Sequence, residues 1–425
     1  MKVKYLFLFW LVFSFSCGPS ASESQETAEK ESIVDFPVIK LTQGPKQHWF
    51  GYYDKLQIDP SGKYALAAEV DTFRRSPTAT DTLRIGLIDL QTRQWESLGT
   101  STAWGWQQGC MLQWIPGSAE EIIWNDFEDG QFVSRVLNVK TKQLRTLPKA
   151  IYTLSNNGKF AIGTEFSRIQ NMRPGYGYPG QDDPYAETKA PSEIGIYKMD
   201  LATGEHELLI SIAEMAAEPS LGEDLGNYWH YFNHLLISPD DQRFIFLHRW
   251  RKVLGDRAAR ASSGFTTRMV TANLDGSDRY ILDPSGHTSH FIWRNPTEVC
   301  MWTKPVGKEW GFYLFKDQTA EVISVGEEVM TVNGHNTYLP NTKGDWILND
   351  TYPQGEERLQ ELYLYQTSTN RKISLGKFHE PKTFKGEWRC DLHPKSSTDG
   401  RYVIFDSTHE GDGRQIYAID ISSIY

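Results

Sequence analysis

The sequence predicts an all-β protein, a seven-bladed β-propeller, from three observations. One turn-centred unit recurs seven times, the stretches between copies carry further strand pairs, and a lone strand precedes the first copy. The copies read LQIDPSGKYALAAEV from Leu56, LQWIPGSAEEIIWND from Leu112, YTLSNNGKFAIGTEF from Tyr152 and LLISPDDQRFIFLHR from Leu235. FIWRNPTEVCMWT from Phe291, TYLPNTKGDWILND from Thr337 and HPKSSTDGRYVIFDS from His393 complete the set. In each, a Pro, Asp, Asn or Gly turn joins an alternating apolar segment to one rich in Val, Ile, Phe and Trp, a β-hairpin signature. Intervening segments such as IGLIDLQTRQW, RVLNVKTKQL and LYLYQTSTNRKISL supply two more strands per unit. Four strands make a blade, and radial packing of seven blades leaves only short sheet edges. The segment FPVIKL near residue 36 has no hairpin partner, so it is expected to close the ring beside the final strand QIYAIDI.

The chain of 425 residues is 39% hydrophobic and 23% charged, enough to bury a large core, and the propeller is expected over 36–425. Aromatic residues make up 13%, which suits both β-structure and surfaces that stack on sugars. A net charge of -10 argues against nucleic acid as a partner, since phosphate binding needs a basic footprint. An acidic ligand would need local Arg and His clusters. Residues 1–16 read as a signal peptide: Lys2 and Lys4, then an apolar run from Tyr5 to Phe15 too short to span a bilayer comfortably. Cys17 stands at the cleavage point, an arrangement resembling a bacterial lipoprotein signal, and the rest of 17–35 reads as a solvated tether. The chain is therefore expected to be exported, lipid-anchored in a bacterial cell envelope, and monomeric. The other cysteines, Cys110, Cys300 and Cys390, imply no disulfide framework.

Copies follow one another at about 40 to 60 residues, except for about 83 between the third and fourth. The excess reads as an insertion over Ser167 to Ser192 and Glu214 to Trp229. It carries Arg168, Arg173, Tyr176, Tyr178 and Tyr185 in a Pro/Gly-rich context. Long loops on rigid scaffolds often shape a binding cleft, so Arg168, Arg173 and Tyr176 are candidate ligand contacts; a plain surface loop is the alternative. In a propeller the first strand of each blade lines the central channel. The segments there hold His48, Tyr52, Tyr53 and Asp54; Trp104, Trp106, Gln107 and Gln108; His230, Asn233 and His234; His287 and His290; Asn333, His335 and Asn336; Glu387, Arg389, Asp391 and His393. Seven of the 11 histidines fall in these segments, and His248 ends the second strand of blade four. Any one of them could simply tie blades together. Their clustering points to a site.

The segments FNHLLISPD, FLHRW, TTRMVTANLDGSD, GHTSHFIW, GHNTY and DLHPKSSTDGRYVIFDS, in this order, resemble the oligogalacturonate lyases of polysaccharide lyase family 22. That family is built as seven-bladed propellers that cleave uronic-acid oligomers by β-elimination. The similarity covers the C-terminal half well and the N-terminal half only as a general propeller pattern. Propeller lyases acting on ulvan share the architecture more loosely. The resemblance implies Arg268 in TTRMV as catalytic arginine and His290 in SHFIW as catalytic histidine. It also implies metal ligation by His335 in GHNTY and His393 in LHP. Where the family carries a glutamine and a second histidine, this chain has Trp388 and Asp391. Asp391 can ligate Mn²⁺, and Trp388 cannot. Cys390 leaves open a mixed S/N zinc site, or reads as a small buried hydrophobe.

The chemistry explains the grouping. Elimination removes the C5 proton, alpha to a carboxylate, and expels the group at C4. A cation such as Arg268, or a divalent metal, stabilises the developing charge. A histidine such as His290 suits the base, with His234 and His248 as alternatives for base or leaving-group acid. Tyr338 and Trp106 are further candidates against the sugar. The expected substrate is a uronic-acid oligosaccharide of pectin or ulvan type, and a dehydratase acting on a terminal uronate would use the same groups. No P-loop, G-x-S-x-G elbow or G-x-G-x-x-G helix start occurs, so no organic cofactor is expected. A non-catalytic glycan- or protein-binding propeller is the alternative class. Hydrolysis by paired carboxylates from Glu387, Asp391 and Asp54 is a lesser one.

Overall fold

Seven four-stranded antiparallel sheets form the blades of a β-propeller in the computed structural model, which describes residues 36–71, 74–262, 264–411 and 413–424. Blade one runs outward from Gln47–Trp49 through Tyr64–Val70 and Leu83–Asp89 to Trp95–Ser101. The innermost strands of blades two to six are Gln113–Trp114, Thr153–Leu154, Trp229–Ile237, Phe291–Asn295 and Thr337–Tyr338. Within each blade the strands follow in chain order, as successive hairpins require.

Blade seven uses both ends of the propeller. Lys395–Ser396, Tyr402–Ser407 and Gln415–Asp420 supply three strands, and Val38–Lys40 adds the outermost, with Val38 opposite Ile419 and Lys40 opposite Tyr417. The lone N-terminal strand thus closes the ring, as its missing hairpin partner implied. The seam is reinforced by Thr42, whose hydroxyl donates to Gln415 Oε1 at 2.7 Å and accepts from the Ile416 amide at 2.9 Å.

Second and third strands have both faces covered by neighbouring blades, so they read as nearly continuous apolar runs. Phe244, Ile245, Phe246 and Leu247 in the strand Arg243–Arg251 are all buried. The inserted segment after Thr164 forms a short helix, Phe166–Met172, buried at five of its seven residues. A second, Ile212–Ala217, begins with a capping box in which Ser211 and Glu214 satisfy each other's backbone amides. The leader expected at 1–16, the lipid attachment at Cys17 and the tether through 35 lie outside the described residues. No helix among the described residues is long and apolar enough to cross a membrane.

Candidate active site

After Gly51 the chain leaves blade one and drives Tyr52 and Tyr53 into the central channel. The Tyr53 hydroxyl donates to the Phe291 carbonyl and accepts from the Phe291 amide, both at 2.9 Å, tying blade one to blade five. Around these two rings stand four imidazoles carried by four blades. Ring centres lie 4.9 Å apart for Tyr52 and His234, 5.3 Å for Tyr52 and His393, 4.1 Å for His290 and His335, and 4.2 Å for His335 and His393. Above them opens a cavity of about 210 Å³, lined by Tyr52, Asn233, His234, Ser289 and His290 together with Arg173, Tyr176, Arg249, Tyr352 and Arg389.

His335, Asp391 and His393 form a candidate metal-binding cluster, each offering one ligand atom within 4.8 Å of the others. All three residues are buried, and neither His335 Nε2 nor His393 Nε2 has a hydrogen-bond partner. Asp350 explains the presentation. Its carboxylate accepts from His335 Nδ1 at 3.0 Å, and the same oxygen accepts the His335 amide at 2.6 Å. Its other oxygen accepts the His393 amide at 3.1 Å. With Nδ1 of His335 donating, Nε2 carries a free lone pair, the usual arrangement behind a ligating histidine. Gly334 is required here, because a Cβ would collide with the Asp350 carbonyl. His393 adopts a φ of 44°, a left-handed conformation that a non-glycine residue holds at a cost. Two imidazoles and a carboxylate suit a divalent transition metal, so the residues fit such an ion.

Arg389 links this cluster to the cavity. Its Nε lies 2.9 Å from Asp391 Oδ2, and its Nη2 donates to the Tyr176 hydroxyl at 3.1 Å. Arg173 stacks over the same tyrosine, 3.7 Å from guanidinium carbon to ring centre. Burial opposes ionisation of Tyr176, yet Arg173 and Arg389 outweigh it and hold the hydroxyl below the ordinary tyrosine value. His290 places Nδ1 3.0 Å from Asn333 Oδ1 and Nε2 3.4 Å from the Tyr352 hydroxyl. Asn333 Oδ1 can only accept, which makes Nδ1 the donor and leaves Nε2 as the acceptor, facing the Tyr352 hydroxyl; both residues line the cavity. His234 also faces the cavity, with Nε2 3.2 Å from Asp54 Oδ2. Burial pushes it down to about 4 against the pull of Asp54, so it is neutral at pH 7.

Six expected contacts lie elsewhere. Arg268 does not line the cavity: its guanidinium donates to His248 Nδ1 at 3.1 Å and to the carbonyls of Pro219 and Met215 at 3.0 and 2.7 Å. His248 is enclosed between Arg268 and His230, whose Nδ1 lies 2.8 Å from its Nε2. His230, His248 and Arg268 thus form a buried hydrogen-bonded chain. Arg168 sits in the helix Phe166–Met172 and spends its guanidinium on Asp183 and on the carbonyls of His230, Tyr185, Thr188 and Lys189. Trp106 packs against Trp49 and Trp104 in the core. Tyr338 bonds to Cys300, not to the channel. Cys390 is wholly buried outside the metal cluster, and burial pushes its thiol well up. Five of the six, Arg268, His248, Arg168, Trp106 and Cys390, are buried in apolar or hydrogen-bonded surroundings, and Tyr338 is half-buried.

His290, His335, His393, Asp391 and His234, expected on the channel, and Arg173 and Tyr176, expected in a cleft-shaping insertion, meet around the cavity and the His–Asp–His cluster. Sequence reasoning passed over Arg249, Tyr352 and Asp350 as site residues. The signal for Arg249 was faint, because His248, Arg249 and Trp250 are consecutive on a strand buried on both faces. Alternation cannot say which of two adjacent polar residues looks toward the cavity.

No protein-family model and no characterised protein sequence matches the chain. Solved structures do match. An oligogalacturonate lyase from Vibrio parahaemolyticus superposes over 93% of this chain and 96% of its own, with a TM-score of 0.63 at 18% identity. An oligogalacturonate lyase in complex with manganese covers 92% and 96%, with a TM-score of 0.61 at 14% identity. A puromycin-hydrolysing peptidase from Mycobacterium tuberculosis covers 92% of this chain and 55% of its own, with a TM-score of 0.55 at 10% identity. At these identities the likeness is one of fold: a seven-bladed β-propeller like that of the oligogalacturonate lyases.

Proposed function

We propose that this chain is an eliminase acting on uronic-acid-containing oligosaccharides. The observation that carries the reading is the convergence of Arg389, Tyr176 and His290 on one cavity beside a His–Asp–His cluster. Arg389 faces the uronate carboxylate and neutralises it as charge develops at C5. His290 Nε2, its other nitrogen held by Asn333, takes the C5 proton. The electron pair of that bond forms the C4–C5 double bond while the C4–O bond breaks. Tyr176 then gives its proton to the departing oxygen, and the tyrosinate left behind is stabilised between Arg173 and Arg389. A divalent cation, held by His335, Asp391 and His393, would add positive charge against the substrate carboxylate. Arg389 replaces Arg268 as the clamp in this reading, since Arg389 lines the cavity and Arg268 does not, its guanidinium turned to His248 and the Pro219 and Met215 carbonyls. When the leaving group is water from a terminal uronate, the same groups make the enzyme a dehydratase. An exported protein anchored through Cys17 would meet such oligomers in the envelope, and Cys17→Ala should release it from the membrane fraction.

Incubation with pectic, ulvan, alginate and glucuronan oligomers tests the reading. An ultraviolet-absorbing unsaturated product should appear with at least one, and His290→Ala should slow it roughly 10²- to 10⁴-fold in a protein that still melts cooperatively. Binding without turnover on every oligomer would leave a glycan-binding propeller instead.

A further inference from the structure

Three arginines stand at the blade-four side of the cavity with no carboxylate among the described residues to pair them. Arg249 and Arg251 lie two residues apart on one face of the strand Arg243–Arg251, and Arg173 follows the inserted helix. Their guanidinium carbons lie 4.8, 5.8 and 4.8 Å from the centre of the Phe265 ring. Arg249 is 6% exposed and Arg251 3%; Arg249 Nε donates to the Thr267 hydroxyl at 3.1 Å and Arg251 Nη2 to the Arg260 carbonyl at 3.3 Å, which leaves Arg249 Nη1, Arg251 Nε and Arg173 Nε without a hydrogen-bond partner among the described residues. Among the described residues, none of the three forms an ion pair. Other buried arginines of this chain are satisfied by carboxylates or by sets of backbone carbonyls. Arg168 meets Asp183, and Arg243 meets Asp278 and Asp317. Arg268 donates to the carbonyls of Pro219 and Met215, and Arg414 to those of Trp106, Trp388 and Arg389.

A buried charge without a counter-charge is costly, and adjacent like charges add to the cost. Burial and the repulsion of Arg173 both push Arg249 and Arg251 below the ordinary arginine value. Such an arrangement is stable in use when an anion completes it. Arg389 differs in having a counter-charge, Asp391 at 2.9 Å, so the three arginines are a separate cationic centre, opening into the same cavity through Arg173 and Arg249.

We propose that Arg173, Arg249 and Arg251 bind a second oxyanion of the substrate, a sulfate ester or a second carboxylate carried beside the reacting uronate. That the anion belongs to a substrate rests on the eliminase reading; the anion site itself does not. Forked guanidinium donors match either group, and the Phe265 ring orients all three. The site makes the preferred oligomer at least doubly anionic.

Inorganic sulfate is the probe. At matched ionic strength, sulfate should raise the melting temperature of the full chain more than chloride does. Arg249→Gln and Arg251→Gln should each weaken sulfate binding at least tenfold. Both variants should hold or raise the melting temperature in chloride, whereas Arg243→Gln, which breaks real ion pairs, should lower it. Sulfate acting no better than chloride, variants that bind sulfate like the parent, or variants that melt as early as Arg243→Gln would each overturn the site. On an oligomer that is turned over, Arg251→Gln should raise KM at least tenfold. Desulfation, or reduction of the neighbouring carboxyl, should abolish that difference and so name the anion; a difference indifferent to both treatments counts against the proposal. Absence of turnover on every uronate, with the sulfate titration intact, removes the eliminase reading and leaves the anion site standing.

Discussion

Tyr176 is the residue whose role depends most on its neighbours. As an acid it must be protonated, so kcat/KM should fall as pH rises through its pKa. Burial opposes its ionisation, but Arg173 and Arg389 hold that pKa below the ordinary tyrosine value, so the basic limb should lie lower than an unperturbed tyrosine would set it. Tyr176→Phe should lower turnover of natural oligomers roughly 10²- to 10⁴-fold, yet much less on a uronate whose C4 substituent leaves without a proton. An equal loss on both would sink the acid assignment. Asp350 acts at one remove, through His335. Asp350→Asn should weaken Mn²⁺ binding by roughly 10- to 100-fold, read by titration on the folded protein, because the tautomer and orientation of His335 are no longer fixed. At this scale the sequence was partly legible. The histidines stood out because GHNTY, SHFIW and LHP carry them in order, whereas Arg268 looked like Arg249 on paper. Only the register of blade four sends Arg268 into the Met215 and Pro219 carbonyls and Arg249 into the cavity.

The elements that position these side chains divide into two kinds. Hairpins were readable because alternation and turn residues are local, and each copy became the first two strands of a blade or their connection. The helix Phe166–Met172 was not. It has no side-chain cap, no acidic first turn and no basic last turn, so burial of Phe166, Ile169 and Met172 holds it, and burial is invisible in one dimension. The channel segment from Gly51 to Lys55 is similar, since its conformation rests on contacts made far away in sequence. Asp54 accepts from His234 and pairs with Lys55 Nζ at 3.0 Å, all three side chains being nearly inaccessible. Burial alone would raise the Asp54 carboxyl, but Lys55 and His234 overcome it and bring it down to about 2. A depressed carboxyl contributes stability above its unfolded pKa and loses it as pH falls through the folded one. The shift corresponds to about 2 kcal/mol. Asp54→Asn should therefore cost at least roughly that much at pH 7, and the gap between variant and parent in chemical denaturation should narrow as pH falls from about 4 toward 2. A gap constant over that range would show that the pair is not ionised.

On the scale of the whole molecule, the site exists only while the ring is closed. Tyr52 comes from blade one, His234 from blade four, His290 leads into blade five, His335 into blade six, and Asp391 and His393 into blade seven. Two of the three residues of the candidate metal cluster, Asp391 and His393, therefore flank with Tyr52 the seam between the last blade and the first. That seam is held by three residue pairs of the strand Val38–Lys40, by the Leu41 amide on the Ile416 carbonyl at 2.9 Å, and by Thr42 on Gln415. His48 adds a crossing link, with Nδ1 3.0 Å from Gln415 Oε1 and Nε2 3.1 Å from Glu69 Oε2. The remaining blades are joined covalently in succession, so the closing strand is the one place where the circle depends on non-covalent contacts alone. Removing residues through Thr42 should leave blades two to five able to pack, because their core clusters do not involve the closing strand. Circular dichroism should accordingly retain a β-rich spectrum. The melting transition should shift down and broaden as the first and last blades separate, and Mn²⁺ affinity should fall at temperatures where the secondary structure is intact. Replacing Thr42 with Val is the milder form of the same test, since it removes the two hydroxyl bonds at the seam while keeping the side-chain volume, and should cost about 1 to 3 kcal/mol. A truncated chain that kept full Mn²⁺ affinity would mean that the site is held by the channel plug of Tyr52 and Tyr53, with the closing strand dispensable.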